Sequence, residues 1–196
     1  MATIKKAQKE GQDWMIPSFD KEEINIRYYM KKPMDRLRNR ISTIEKEMLD
    51  GRPWDFPNQT GHWKDNIKHI GNESLIKQIN DLLSTAVEPN ILCKNPMLQK
   101  IERYQRYITG AEMGEHWDND PAFDHGIYDL RYGMIIYLND DFDGGELEYT
   151  KLGIRIKPKK NMFVIHPGLE KYSHKVNKVT SGTRYTMSSF LFNINK

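Results

Sequence analysis

The chain has 196 residues, 38% hydrophobic and 29% charged, enough for one full core and few for two, and its composition excludes disordered and fibrous classes. Thirty basic and 27 acidic residues leave a formal net charge of +3, too even a balance to argue for a nucleic-acid or membrane partner. Cys93 is the single cysteine, MATIKKAQKEGQ lacks the apolar core of a signal peptide, and no run is long enough to cross a bilayer, so a cytoplasmic protein is the expectation.

The first half reads as helical. Asp20 precedes KEEINIRYYM with Glu23 three residues on, an N-cap with carboxylates in the first turn, which predicts a helix. Pro33 interrupts and can itself open a second helix. There Met34, Leu37, Ile41, Ile44 and Met48 recur at three- and four-residue spacing as a core stripe, and Gly51 supplies the stop. Lys31, Lys32, Arg36, Arg38 and Arg40 form a solvated basic face. RPWDFPNQTGHW, rich in proline, glycine and aromatics, reads as a long packed loop. SLIKQINDLLSTAV follows as an amphipathic helix with Leu75, Ile76, Ile79, Leu82 and Leu83 on its apolar side.

From about Ile101 short β-branched and aromatic runs take over: IERYQRYI, LRYGMIIYL, ELEYT, GIRIK, NMFVIH, YSHKV and RYTMSSFLF. NDDFDGG, PKKN, PGLEK and TSG separate them, and the glycines of DFDGGEL suit a hairpin turn. Helices first and strands afterwards predict an α+β fold with a mainly β core, a jelly roll buttressed by N-terminal helices. Residues 1–196 read as a single domain, with about 1–99 as helical support and about 100–196 as the β core.

His116 and Asp118 stand two apart, so on an extended segment both side chains leave one face. With a histidine from a distant strand they make a 2-His-1-carboxylate triad, which leaves one face of a non-haem Fe(II) open. His174 in YSHKV is the better distal partner. His166, at the end of NMFVIH, competes with it but stands eighteen residues before Arg184, where His174 stands ten before. His125 reads as a loop residue, and Asp120 as a loop residue or a partner that supports a ligand. A dicarboxylate co-substrate that chelates iron at one end needs a fixed cation at the other, and the planar fork of Arg184 suits that carboxylate. Thr186 shares the face of Arg184 by the two-residue period, and Tyr137 and Tyr107 offer further hydroxyls. Each of these three also reads as an ordinary strand residue.

The succession RYITGAEMGEHWD, MIIYLNDDFDGGELEY, YSHKVNKVTSGTRYTMSSF resembles the 2-oxoglutarate/Fe(II) oxygenase superfamily, and within it the prolyl 4-hydroxylase-like branch. The likeness covers roughly residues 100 to 192. It implies a double-stranded β-helix of the cupin-like jelly-roll type, with Fe(II), 2-oxoglutarate and O2 as cofactor and co-substrates. By that resemblance His116, Asp118 and His174 are the iron ligands and Arg184 holds the distal carboxylate, with Tyr107 and Tyr137 at co-substrate positions. The implied reaction is hydroxylation of a peptide, prolyl or amino-acid side chain, with decarboxylation of 2-oxoglutarate to succinate and CO2. Arg184 stands where collagen-type members carry lysine.

Two other functions compete. A nucleobase-acting oxygenase of the alkylated-base repair branch carries a second arginine six residues after the first, where this chain has Phe190. A non-enzymatic metal-binding jelly-roll module has no need of an open coordination face. The partner expected is therefore a peptide or small molecule, with no nucleic acid and no membrane. The sequence names neither the substrate nor the oligomeric state.

Overall fold

The computed structural model describes residues 4–9, 12–17, 27–29, 40–55, 63–86, 96–121 and 128–194. Strands β1 (Ile4–Lys9), β2 (Gln12–Pro17) and β3 (Arg27–Tyr29) precede helix α1 (Ile41–Met48); β4 (Ile67–His69), helix α2 (Glu73–Ala86) and β5 (Pro96–Leu98) complete the first half. The second half is strands joined by turns: β6 (Arg103–Ile108), β7 (Met113–His116), β8 (Tyr128–Tyr137), β9 (Asp143–Gly144), β10 (Leu147–Tyr149) and β11 (Ile154–Ile156). β12 (Phe163–Pro167), β13 (His174–Val176), β14 (Val179–Ser181) and β15 (Thr183–Ile194) follow.

Among the described residues these strands form one large antiparallel sheet, β1-β2-β3-β12-β8-β15-β6-β4, with β5 added beside β15. A smaller sheet, β11-β10-β13-β7, and the pair β14-β9 lie against it. This is the double-stranded β-helix expected for the second half. The period of two along each strand sorts its side chains between two environments. Tyr104, Met134, Ile136, Phe163, Ile165, Met187 and Leu191 point outward and pack with Ile44, Met48, Leu75, Ile79 and Leu83 of the helices. Residues of opposite parity on the same strands, Tyr107, Tyr137 and Val164, point inward toward the small sheet. Each helical leucine or isoleucine buried this way contributes roughly 1.5–3 kcal/mol.

The two helices are also tied down by polar contacts. α2 spans almost the predicted segment, and Asn72 caps it by accepting a hydrogen bond from Leu75 N at 3.0 Å. Glu47 of α1 reaches the same corner. One of its carboxylate oxygens accepts from Gly71 N (2.6 Å), Asn72 N (2.9 Å) and Arg52 Nη2 (3.1 Å), and the other from Tyr104 OH (3.0 Å). Lys68 is buried and donates to Met48 O at 2.8 Å and Asp50 Oδ1 at 2.7 Å, closing the C-terminal end of α1. Gly51, with φ of +83°, ends the helix run as its position predicted.

Among the described residues the first half is less helical than expected. Within the segment expected to run as a helix from Lys21, Arg27–Tyr29 forms β3, with Tyr29 opposite Phe163 and Arg27 opposite Ile165. Tyr28 and Tyr29 suit a strand, and pairing with β12 overrides the expected helix at these three residues, while Asp20 and Glu23 lie outside the described residues. The expected helix start at Pro33, the basic residues from Lys31 to Arg38, Cys93, His125 and residues 56–62 of the expected RPWDFPNQTGHW loop lie outside the described residues. The DFDGGEL turn is likewise not a hairpin: β9 pairs with β14, whereas β10 pairs with β11 and β13. Gly144 and Gly145, at φ of +72° and +64°, carry the chain around a corner between sheets. Among the described residues no helix is long and apolar enough to cross a membrane.

Candidate active site

The inward faces of the two sheets enclose a cavity of about 290 Å³. His116, Asp118 and His174 stand in its wall, as do Tyr107, Arg184 and Thr186. β7 and β13 are antiparallel neighbours in which His116 and His174 are Cα partners, so their rings meet with centroids 4.4 Å apart. The strand ends at His116, and Asp118 sits in the turn after it, not on the strand as the HxD spacing predicted. That turn is pinned where Asn119 N donates to Gly168 O at 2.9 Å, just beyond β12.

Both histidines are aimed by their own backbone. His116 Nδ1 contacts Gly114 O at 2.9 Å and His174 Nδ1 contacts Tyr172 O at 3.0 Å. A carbonyl oxygen only accepts, so Nδ1 carries the hydrogen and each Nε2 is left with a lone pair. The two Nε2 atoms face Asp118 Oδ1 from 4.0 and 3.9 Å. The three ligand atoms all lie within 4.8 Å of one another, a spacing that could hold one metal ion. Two imidazole lone pairs and one carboxylate oxygen are the donor set suited to non-haem iron.

Burial by itself raises the Asp118 carboxyl pKa, but the hydrogen bond from His166 and the three nearby imidazoles outweigh it, and the net shift is downward. Burial, then the nearness of the His166 imidazole, pushes the His174 imidazole down to about 3, against the pull of Asp118. The carboxylate is thus ionised and the His174 ring neutral, the forms a cation requires.

Further along the cavity, Arg184 is 2% exposed. Its guanidinium carbon lies 4.6 Å from the centroid of the Tyr107 ring and 4.9 Å from that of Tyr137. Nη2 reaches Tyr137 OH only at 3.4 Å, and Nε is buried with no hydrogen-bond partner. A buried cation with a spare donor is costly unless an anion completes it, so the arrangement fits a ligand carboxylate. Burial pushes the Tyr107 hydroxyl up to about 12 and raises that of Tyr137, with Arg184 opposing both, so the two remain hydrogen-bond donors. Thr186 is buried on the same face, where its hydroxyl contacts Gln105 Oε1 at 3.4 Å.

His166, weighed against His174 as distal ligand, is the residue sequence reasoning misplaced. It lies inside the site, yet its Nε2 is 2.9 Å from Asp118 Oδ2, and its Nδ1 is 2.7 Å from Tyr149 OH. The signal was present: in a strand buried on both faces, Val164 and His166 share the inward side by parity. Asp120 belongs to the loop beyond the turn, as expected.

Comparison with known proteins agrees with this geometry. Residues 102–192, just under half of the chain, match the family model described as the 2OG-Fe(II) oxygenase superfamily. The chain is 35% identical over 83 residues to prolyl 3-hydroxylase 2 of Mus musculus, covering 39% of this chain and 11% of that protein. It is 29% identical over 126 residues to a PKHD-type hydroxylase of Prochlorococcus marinus (strain AS9601), covering 62% and 56%. The chain thus spans a small part of the first relative and about half of the second. Its fold resembles the crystal structure of a viral collagen prolyl hydroxylase from Paramecium Bursaria Chlorella virus-1 in its 2OG complex. The TM-score is 0.62 at 16% identity, over 87% of this chain and 96% of that one.

Proposed function

We propose that the protein, whose residues 102–192 match the family model of the 2OG-Fe(II) oxygenase superfamily, is an iron- and 2-oxoglutarate-dependent hydroxylase acting on a peptide, with a prolyl side chain the first candidate. The observation that carries this reading is the buried Arg184 with its unpartnered Nε, lining the same cavity as the His116, Asp118 and His174 cluster. A metal site alone would have no use for such an arginine. The likeness to a prolyl 3-hydroxylase, a PKHD-type hydroxylase and a collagen prolyl hydroxylase supports the choice of a peptide substrate.

In this reading His116, Asp118 and His174 hold the iron through two Nε2 atoms and Oδ1. Arg184 binds the far carboxylate of 2-oxoglutarate, with the Tyr107 and Tyr137 rings fixing the plane of its guanidinium. Bound there, ferrous iron supplies the oxidative chemistry that converts 2-oxoglutarate and O2 to succinate and CO2 while one oxygen atom passes to the substrate. The protein's own work is positioning and exclusion of water. His174 and Arg184 are buried, whereas the His116 side chain is 31% exposed and marks the open side of the site. The apolar Phe190 ring also lines the cavity, at the position where the alkylated-base repair branch carries its second arginine.

The test is succinate release from 2-oxoglutarate with Fe(II) and proline-containing peptides, with His174→Ala as control. The expected result is iron-dependent succinate release that the variant lacks, with the peptide gaining the mass of one oxygen atom. Succinate release with no mass gain on any peptide would overturn the substrate. A wild-type protein that neither binds ferrous iron nor consumes 2-oxoglutarate would overturn the enzyme.

A further inference from the structure

We propose that His166, backed by Tyr149, is a positioning residue for Asp118, holding carboxylate oxygen Oδ2 so that Oδ1 alone is presented to the metal. This rests on the metal-site reading above and adds to it a fixed orientation for its one carboxylate.

Asp118 lies in a turn, and the terminal torsion of an aspartate is broad, so nothing in its backbone prevents the carboxylate from rotating. His166 supplies the missing restraint. A carboxylate only accepts, so the 2.9 Å contact between His166 Nε2 and Asp118 Oδ2 places the hydrogen on Nε2. Nδ1 of the neutral ring then accepts from the Tyr149 hydroxyl at 2.7 Å. The result is one directed chain, Tyr149 to His166 to Asp118, in which every hydrogen is assigned by its partner. The links are themselves held. Tyr149 and His166 are buried, on β10 and β12, and all five residues of β12 are buried.

Gly133 makes room for this contact. It is the Cα partner of His166 across β8 and β12. A Cβ there would overlap Asp118 Oδ2 and stand 2.6 Å from His166 Nε2. The sheet therefore omits a side chain at the point where carboxylate and imidazole meet.

The same contacts rule out His166 as a fourth ligand. A ring that donates from Nε2 has no lone pair there for a metal, and its Nδ1 faces Tyr149. His116 and His174 differ in this respect: their Nδ1 hydrogens go to carbonyls and their Nε2 lone pairs face the site. With Oδ2 occupied by His166, Asp118 would offer a metal one oxygen, which suits a centre that must also take a co-substrate.

The test is titration of the metal-free protein with Co(II), followed by its ligand-field absorption, in wild type and the His166→Phe, His166→Gln and Tyr149→Phe variants. Thermal midpoints and the KM for 2-oxoglutarate at saturating Fe(II) are measured alongside. His166→Phe is expected to weaken Co(II) binding by about 10- to 100-fold with the KM for 2-oxoglutarate unchanged. His166→Gln keeps an N–H donor and is expected to recover most of the affinity. Tyr149→Phe, which removes only an oxygen atom, is expected to cost about 2- to 10-fold. Wild-type Co(II) affinity in His166→Phe would overturn the proposal. So would equal losses in Co(II) binding, 2-oxoglutarate KM and thermal midpoint, because these would mark a purely structural residue. If His166→Phe does not fold, Tyr149→Phe decides: unchanged Co(II) affinity overturns the proposal and a severalfold loss supports it. Failure of wild type to bind Co(II) would instead remove the metal site itself, and this inference with it.

Discussion

Arg184 and Tyr107 are Cα partners across β15 and β6, and the guanidinium carbon lies 4.6 Å from the centroid of the phenol ring. The ring packs against the arginine fork and helps to keep it buried. Lysine in that place would keep the charge but lose both the planar stack and the paired donors. Arg184→Lys is therefore expected to raise the KM for 2-oxoglutarate by about 10- to 100-fold. Co(II) affinity should not change, since Arg184 is not among the metal-facing atoms. Equal KM values in steady-state succinate assays would remove Arg184 from the co-substrate site.

Gly133 can be tested directly against another glycine. Gly133→Ala places a methyl group against Asp118 and His166, whereas a Cβ at Gly114 meets nothing within 4 Å. The first is expected to destabilise the metal-free protein by about 1–3 kcal/mol and to weaken metal binding, because the carboxylate or the imidazole must move. Gly114→Ala should leave both near wild type. Urea unfolding and Co(II) titration of the two variants check this, and equal behaviour would mean that the strand relaxes around the added methyl.

The metal-free protein should lose stability on mild acidification. The folded His174 imidazole titrates at about 3, because it is buried and faces other imidazoles, while in the unfolded chain it takes a proton near its ordinary 6.5. The unfolded state therefore binds more protons as pH falls below 6.5. Stability is full above that value and declines toward 3, by at most about 1.4 kcal/mol per pH unit. Asp118, whose folded pKa is lowered, adds its own loss below 3.8, so the histidine acts alone above that point. In urea unfolding from about pH 7 down to 4, His174→Gln should show a flatter slope than wild type. Parallel slopes would assign the acid lability to other groups.

Glu47 joins α1, the turn before α2 and the sheet through hydrogen bonds to Gly71, Asn72, Arg52 and Tyr104. Glu47→Ala leaves two backbone N–H groups and a largely buried tyrosine hydroxyl to find other partners. The expected cost is about 2–4 kcal/mol, read as a lowered urea midpoint, with little change in the KM for 2-oxoglutarate. A loss below about 1 kcal/mol would show that water replaces the carboxylate at that corner.

The legible part of this protein was whatever a local period or a spacing encodes. α2 was visible because its apolar residues repeat at three and four, and the His174 to Arg184 interval was visible because it lies along one stretch of chain. β3 was not, because its pairing partner Phe163 is more than a hundred residues away and the local capping signal pointed to a helix. The role of His166 depended on the Cα register of β12 with β8, and on a glycine opposite it, which no single stretch of sequence displays. Asp118 was legible by residue and not by conformation: the dipeptide spacing suggested a shared strand face, whereas the turn after β7 does the aiming.

β15 alternates between two duties over its length. Arg184, Thr186, Ser188 and Phe190 line the cavity, while Tyr185, Met187 and Leu191 pack against the helix-covered core. Mutations at Ser188 and Phe190 thus reshape the reaction chamber while the packing that sustains the fold lies on the opposite side of the same strand. Such a strand is favourable ground for divergence: a descendant sequence can trade one substrate for another at even-numbered positions while its odd-numbered positions stay under purifying selection for folding. Deep mutational scanning of residues 183–194 would then return two interleaved fitness landscapes, one governed by abundance and one by turnover.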